Sequence, residues 1–384
     1  MIRVNKNQPS RRVLSTWLCV LGLYAVFPSA HTASESLAVH SSQPDQIYTS
    51  GPQPNRVLAT QEALQRCSRK DHKINGYCEI ISVDGTAISS PAQLLPKSKP
   101  HPLFLWHYAS DKGSIFLAGT VHMLRPGFYP LPEPYTDAFK IADHLAVEVH
   151  MDRLPSSAVA NKLIAYARLP AGQTLKGTLP ADTYTHLEEA TASFGINLNR
   201  LQAFKPAFVY QQLSLLAFQV QGYDPDLGVE RYFLSKNQNP VRPVIELETM
   251  DEQFDMLFNQ PLAMQTAVLE ETLTQLDAYE KSSSDLLRAF LAGDERAMAA
   301  LIDEQAGEHP LSRAFTEALL DQRNQRMAEK IYLLSTQPGN YLVLVGSAHL
   351  VGDQSIVRLL ERKGLQGRRV ASNDNLLQTR QGGR

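Results

Sequence analysis

The sequence is short of the features that most quickly betray a function. Only three of its 384 residues are cysteine and two are tryptophan. The 37 lysines and arginines nearly cancel the 39 aspartates and glutamates. With no basic face or stripe to grip a phosphate backbone, nucleic acid is not an expected partner. There is no H-E-x-x-H helix of the usual zinc proteases and no G-x-S-x-G nucleophile elbow. Ser347 therefore lacks the setting of a serine nucleophile. No repeat of solenoid period is visible either. What remains is an ordinary globular composition, 43% hydrophobic and 20% charged, in a chain long enough for one large core or two.

The N-terminus carries an address. Arg3, Lys6, Arg11 and Arg12 precede an apolar stretch from Val13 to Phe27, and Pro28, Ser29, Ala30, Thr32 and Ala33 follow. A basic region, a short apolar region and small residues are the layout of a secretory signal, assigned here to residues 1–33. The stretch is short for a spanning helix, which needs roughly 20 residues. Membrane association is expected only if this segment stays uncleaved. A periplasmic or otherwise extracytoplasmic location follows, and there Cys67 and Cys78 can close a short disulfide loop through Asn75-Gly76. Free thiols or metal ligands are the other readings of the pair.

Residues 34–102 read as linker plus the cysteine loop. Ser34 to about Pro54 is rich in Ser, Gln and Pro, and a short helix is expected over 57–67. The main domain is placed at 103–371, and the polar, Gly-ended residues 372–384 as a disordered tail. The domain opens with a hairpin, Leu103–Ala109 and Ser114–Thr120, turned at Asp111-Lys112-Gly113. Further strands are expected at Leu145–Val149, Arg242–Leu247, Asn340–Gly346 and, at an edge, Arg368–Ala371. Apolar residues at helical spacing mark 135–142, 157–168, 181–193, 205–221 and much of 251–335. Few strands separated by long helical stretches imply an α/β fold: a central mixed sheet flanked by helices, with large α-helical insertions.

Four of these strands deliver a chemically active residue. The first ends in Gly119-Thr120-Val121-His122, and another contains Glu148. A third ends in Glu246-Leu247-Glu248, and the last leads into Gly346-Ser347-Ala348-His349. Open α/β sheets bind ligands beyond the carboxyl ends of their strands, so residues far apart in sequence can share a pocket. In each G-x-x-H the glycine permits close backbone approach and the histidine follows three residues later. Neutral imidazoles with carboxylates make a site for a transition metal, whose bound water becomes a nucleophile. His122, Glu148 and His349 are the expected metal ligands. Either histidine alone would more often be a loop residue, and a shared metal site is here only one of two readings.

The segments that carry these residues resemble one family. Leu105-Trp106 and Ser114 through His122 look like its opening strand pair and first G-x-x-H. Tyr129-Pro130-Leu131-Pro132, Ala142-Asp143 and Glu148 resemble its next helix and glutamate. Leu247-Glu248-Thr249 with Glu252-Gln253 matches its L-E-T-x-x-E-Q pattern. Arg323-Asn324 with Arg326-Met327 resembles the helix before the last strand, and Val345 to Gly352 the second histidine motif. Over about residues 103–371 the chain is similar to the TraB/GumN family of the Tiki-like, erythromycin-esterase-like superfamily.

That resemblance implies a metal-dependent hydrolase, first of all a peptidase, with manganese or cobalt favoured and zinc the further candidate. A peptide or protein substrate is then expected. His122, Glu148 and His349 would form the core site. Glu248 would be a ligand or general base, or would orient the loop instead, and Glu148 is the other candidate base. Arg323, Asn324 and Arg326 would hold a substrate carbonyl or orient a ligand, unless they are only solvated on an exposed helix. His150 stands where an acidic residue would be expected; two positions from Glu148 on a strand, it would share its face. His144 and His107 have weaker claims, His107 as a satisfied histidine of the hairpin. The alternative reading is a noncatalytic metal- or ligand-binding regulatory protein of the envelope with the same fold.

Overall fold

A computed structural model describes residues 33–70, 75–97 and 100–379. Nearly all of the expected signal, and the end of the expected tail, lie outside the described residues. The first unit is a small sheet of β1 (Ser36–His40), β2 (Gln43–Thr49), β3 (Cys78–Val83) and β4 (Thr86–Ala87), in the order β2-β1-β3-β4. The helix Arg56–Lys70 packs on it, and Cys67 is joined to Cys78 by a disulfide. The expected linker over 34–54 is therefore folded. Its β1 is ordered by pairing with β3, a partner some forty residues away, and β2 by pairing with β1, while Ala38, Tyr48 and Ile80 share a buried cluster with Cys67.

The second sheet positions the chemistry. It comprises β5 (Pro102–Ser110), β6 (Gly113–Thr120), β7 (His144–Val147), β8 (Val244–Glu246), β9 (Gly339–Gly346) and β10 (Arg368–Ala371). Their order is β10-β5-β6-β9-β7-β8. The β5–β6 hairpin is antiparallel, and β10 closes the edge against β5. The strands β6, β9, β7 and β8 are mutually parallel. This is the mixed sheet anticipated, with β9 at its heart: Leu342, Val343, Leu344 and Val345 are wholly buried, as strands covered on both faces must be.

Helices supply the rest. Those at Ser156–Ala167, Ala181–Ser193 and Pro206–Gln219 belong to the long insertion between β7 and β8, and further helices fill the chain from Met250 to β9. The insertion builds its own apolar cluster, with Val159, Leu187, Leu213, Phe254 and Phe258. The sheet has another, from Phe104 through Leu145 to Val370. Among the described residues no helix is long and apolar enough to cross a membrane. Beyond β10 the chain is ordered rather than loose: the short helix Leu376–Thr379 buries Leu376.

Candidate functional site

The strand order answers whether the two histidine motifs can meet. Thr120 and Gly346 are paired neighbours at the carboxyl ends of β6 and β9, so both motifs leave the same rim side by side. On the other flank of β9, β7 ends at Val147 and Glu148 is the first residue beyond it. The expectation that this strand ran to Val149 was two residues too long, and Glu148 is not a strand residue. Backbone pairing still continues there: Leu247 N–H donates to the Val147 carbonyl and Glu248 N–H to that of Glu148, each at 2.8 Å.

Both glutamates sit on a seam. Val147 and Leu247 belong to the sheet's apolar cluster, whereas Val149 and Met250 belong to that of the helical insertion. Glu148 and Glu248 are buried between them. Buried carboxylates need partners, and these have them. Arg323 Nη2 donates to Glu148 Oε2 at 2.6 Å, and Arg323 Nε donates to Glu248 Oε2 at 2.7 Å. Arg326 Nη2 adds a bond to Glu248 Oε1 at 3.2 Å. The helix starting at Arg323 follows a π-turn, Ala318–Gln322, an irregularity common near functional sites. Arg323 and Asn324 are buried, which removes the idea that they are merely solvated; Arg326 is part-exposed.

Glu248 is thereby partnered. Both its oxygens accept from guanidinium groups, and through them it orients Arg323. Glu148 is the one that faces the histidines. Its Oε1 accepts from the Gly346 amide at 2.6 Å and lies 3.7 Å from His349 Nε2. Burial pushes the Glu148 carboxyl up, but His349 when protonated, the Arg323 guanidinium, His122 and the Gly346 amide bring it down to about 2. It is ionised at any ordinary pH, and a group so acidic is a poor proton acceptor near neutrality.

His349 has a defined tautomer. Asn324 Nδ2 donates to the Gln354 carbonyl, which fixes the amide so that its Oδ1 faces His349 Nδ1 at 2.7 Å. An oxygen that only accepts requires a proton on Nδ1. Burial, against the pull of Glu148, lowers the His349 pKa to about 4. The ring is therefore neutral at pH 7, and Nε2 presents a lone pair to the Glu148 carboxylate. Two electron-rich atoms facing each other call for something positive or proton-bearing between them.

Gly346 is the meeting point. A Cβ built on it would stand 3.4 Å from Glu148 Oε1, 3.5 Å from His349 Cδ2 and 3.7 Å from His122 Nε2. Of the three side chains only His122 is exposed; its backbone is held where Val229 N–H donates to Val121. Nearby, Thr120 Oγ1 is buried with no hydrogen-bond partner among the described residues. Gly119, the other motif glycine, serves packing instead: a Cβ there would meet Phe104 Cβ at 2.9 Å and Leu350 at 3.1 Å.

Other expected residues lie elsewhere. His150 begins the turn Met151–Arg153, and its backbone N–H donates to Glu246 Oε1 at 3.2 Å. Since the strand ends before Glu148, the argument that His150 shares its face no longer holds. Glu252 forms a capping box with Thr249, starting the helix Met250–Phe258. His107 bonds Ser114 Oγ at 3.0 Å and stacks on Phe116, and His144 stacks on Tyr341. The Gly346 amide was not anticipated, because a backbone donor has no sequence signature.

The donor set suits a divalent cation in kind: an ionised carboxylate, a neutral imidazole locked in the Nε2-ligating tautomer, and a second imidazole. As the side chains stand, no three His, Cys, Asp or Glu among the described residues are grouped closely enough to hold an ion. His122, the exposed member, is the one with room to adjust.

Compared with known proteins, the model of the TraB/PrgY/gumN family matches residues 104–369. The uncharacterized protein YbaP of Escherichia coli (strain K12) is 25% identical over 244 residues, 64% of this chain and 86% of YbaP. A metalloprotease TIKI homolog of Amphimedon queenslandica is 22% identical over 324 residues, 71% of this chain and 62% of that protein. An uncharacterized protein of Treponema pallidum (strain Nichols) is 21% identical over 275 residues, 68% of this chain and 80% of that protein. No solved structure matches the chain significantly.

Proposed function

The chain belongs to the TraB/PrgY/gumN family, and from that premise we propose that it is an exported, metal-dependent hydrolase acting on peptide bonds. The observation that carries the reading is the lone pair of His349 Nε2 directed at the ionised Glu148 Oε1, 3.7 Å away, beside a motif histidine. The similarity to a protein described as a metalloprotease supports the same chemistry. Glu148, His349 and His122 would hold the ion, with manganese or cobalt favoured and zinc the further candidate. Such an ion lowers the pKa of a bound water and polarises a carbonyl.

The chain's own residues prepare that site. Arg323 neutralises Glu148 on its outer oxygen and leaves Oε1 toward the histidines. Asn324 fixes the tautomer and plane of His349, as partners of metal-bound histidines do. Glu248 and Arg326 hold Arg323 in register. The general-base role first expected suits Glu148 poorly, because its carboxyl is held down at about 2, and leaves Glu248 as the candidate base. The export reading is supported by the sequence of residues 1–33 and by the disulfide.

The test is metal analysis of the purified mature chain with turnover of a peptide library in Mn²⁺, Co²⁺ or Zn²⁺. His349→Ala and Glu148→Gln should each abolish cleavage and lower bound metal. Metal retained without turnover on any peptide or ester would leave a binding and regulatory protein instead.

A further inference from the structure

We propose that the helix Pro206–Gln219 forms a substrate subsite next to the candidate centre, receiving an apolar side chain of a peptide. The inference rests on the peptidase reading and adds to it a substrate preference. Tyr210, Ser214 and Phe218 follow each other at four-residue spacing and so line one stripe of that helix. A cavity of about 260 Å³ is bounded by this stripe with Met123, Leu215 and, from the first histidine motif, His122. A second cavity, of about 350 Å³, is bounded by the same three residues and reaches Ala348 of the second motif. The stripe is therefore a common wall of two spaces, each touching one G-x-x-H.

The two spaces share one chemistry, mainly apolar walls with polar side chains among them. The first is walled mainly by carbon, from Phe218, Leu215, Met123 and Pro225. Glu230 and Arg231 stand at it, and the second, also mainly apolar with Val268, Ile302 and Phe315, admits Glu271, Gln275 and Gln305. A ligand lying along the stripe meets apolar wall with polar side chains set into both spaces, so it must itself alternate apolar and polar groups. A peptide has that character along its length, while a fatty acyl chain is apolar throughout. The first cavity, of about 260 Å³, lies slightly below the usual range of ligand pockets.

Ser214 gives a clean test. Its Oγ accepts a hydrogen bond from Tyr279 Oη at 2.6 Å. Ser214→Ala and Ser214→Phe both lose that bond, but only phenylalanine fills the space. A randomised synthetic peptide library is passed over immobilised wild-type and variant protein without added metal, and the retained peptides are sequenced. Wild type and Ser214→Ala should enrich Leu, Ile, Met or Phe at one position, and Ser214→Phe should lose that enrichment by about tenfold or more. Absence of positional enrichment in the wild type overturns the proposal, as does enrichment that survives in Ser214→Phe. Stronger retention of dodecanoate than of apolar peptides overturns it too. The same library with Mn²⁺ judges the hydrolase reading separately: apolar retention without cleavage removes the catalysis and keeps the subsite.

Discussion

Arg323 and Glu148 form an ion pair with 2.6 Å between Nη2 and Oε2, each side chain only 6% exposed. The same guanidinium also bonds Glu248, so one cation stands against two buried carboxylates. Removing a partner from a buried pair strands the other charge, at a cost of about 3–5 kcal/mol. Arg323→Met should therefore destabilise the protein by about that amount in urea unfolding. Arg323→Lys should restore little, because an ammonium cannot span both carboxylates as a guanidinium fork does. A loss below about 1 kcal/mol would place the pair among weak surface contacts.

The two motif glycines should fail differently. Alanine at Gly346 makes ordinary contacts with Glu148, His349 and His122, so Gly346→Ala should fold with nearly native stability. Its methyl would nonetheless occupy the space those groups share, and bound metal and turnover should fall together. Gly119→Ala meets Phe104 and Leu350 too closely and should cost about 1–3 kcal/mol of stability. Thermal unfolding beside metal content separates the two; equal destabilisation would refute the division.

Asn324 is a positioning residue. Asn324→Ala leaves the imidazole of His349 without its Nδ1 acceptor, and loss of such a partner typically weakens metal affinity 10–100-fold. Calorimetric titration with Mn²⁺ measures it. An unchanged affinity would mean that His349 does not hold the ion through Nε2.

Besides the buried His349, a pH effect should come from outside the site. Burial, then the nearby Arg368, holds His107 below its ordinary 6.5. The unfolded chain therefore takes up this proton first as pH falls. Stability due to neutral His107 is complete above about 6.5 and is lost as pH drops through the interval down to its folded value. His107→Gln should flatten that part of the urea-midpoint profile, and a parallel profile would show that His107 contributes nothing to it.

Much of this architecture was legible, for identifiable reasons. The β5–β6 hairpin announces itself by branched and aromatic runs around Asp111-Lys112-Gly113, and β9 by unbroken apolar residues. Strands that owe their existence to distant partners were harder to see. β1 and β2 have linker-like composition; β1 is fixed by β3, beyond an intervening helix, and β2 by β1. Site residues were legible as types, whereas their relations were not. Helical spacing alone could not reveal that Arg323 is buried against two carboxylates, since burial depends on which helix face meets the sheet. Nor could it tell that Tyr210, Ser214 and Phe218 face a hollow instead of a filled core.

The seam that runs through Glu148 and Glu248 has a mechanical implication. The chain steps from one apolar body into the other at each glutamate, and Arg323 bolts the crossings together. Any displacement of the insertion's helices relative to the sheet therefore has to pass through the two crossings and the ion pairs that join them.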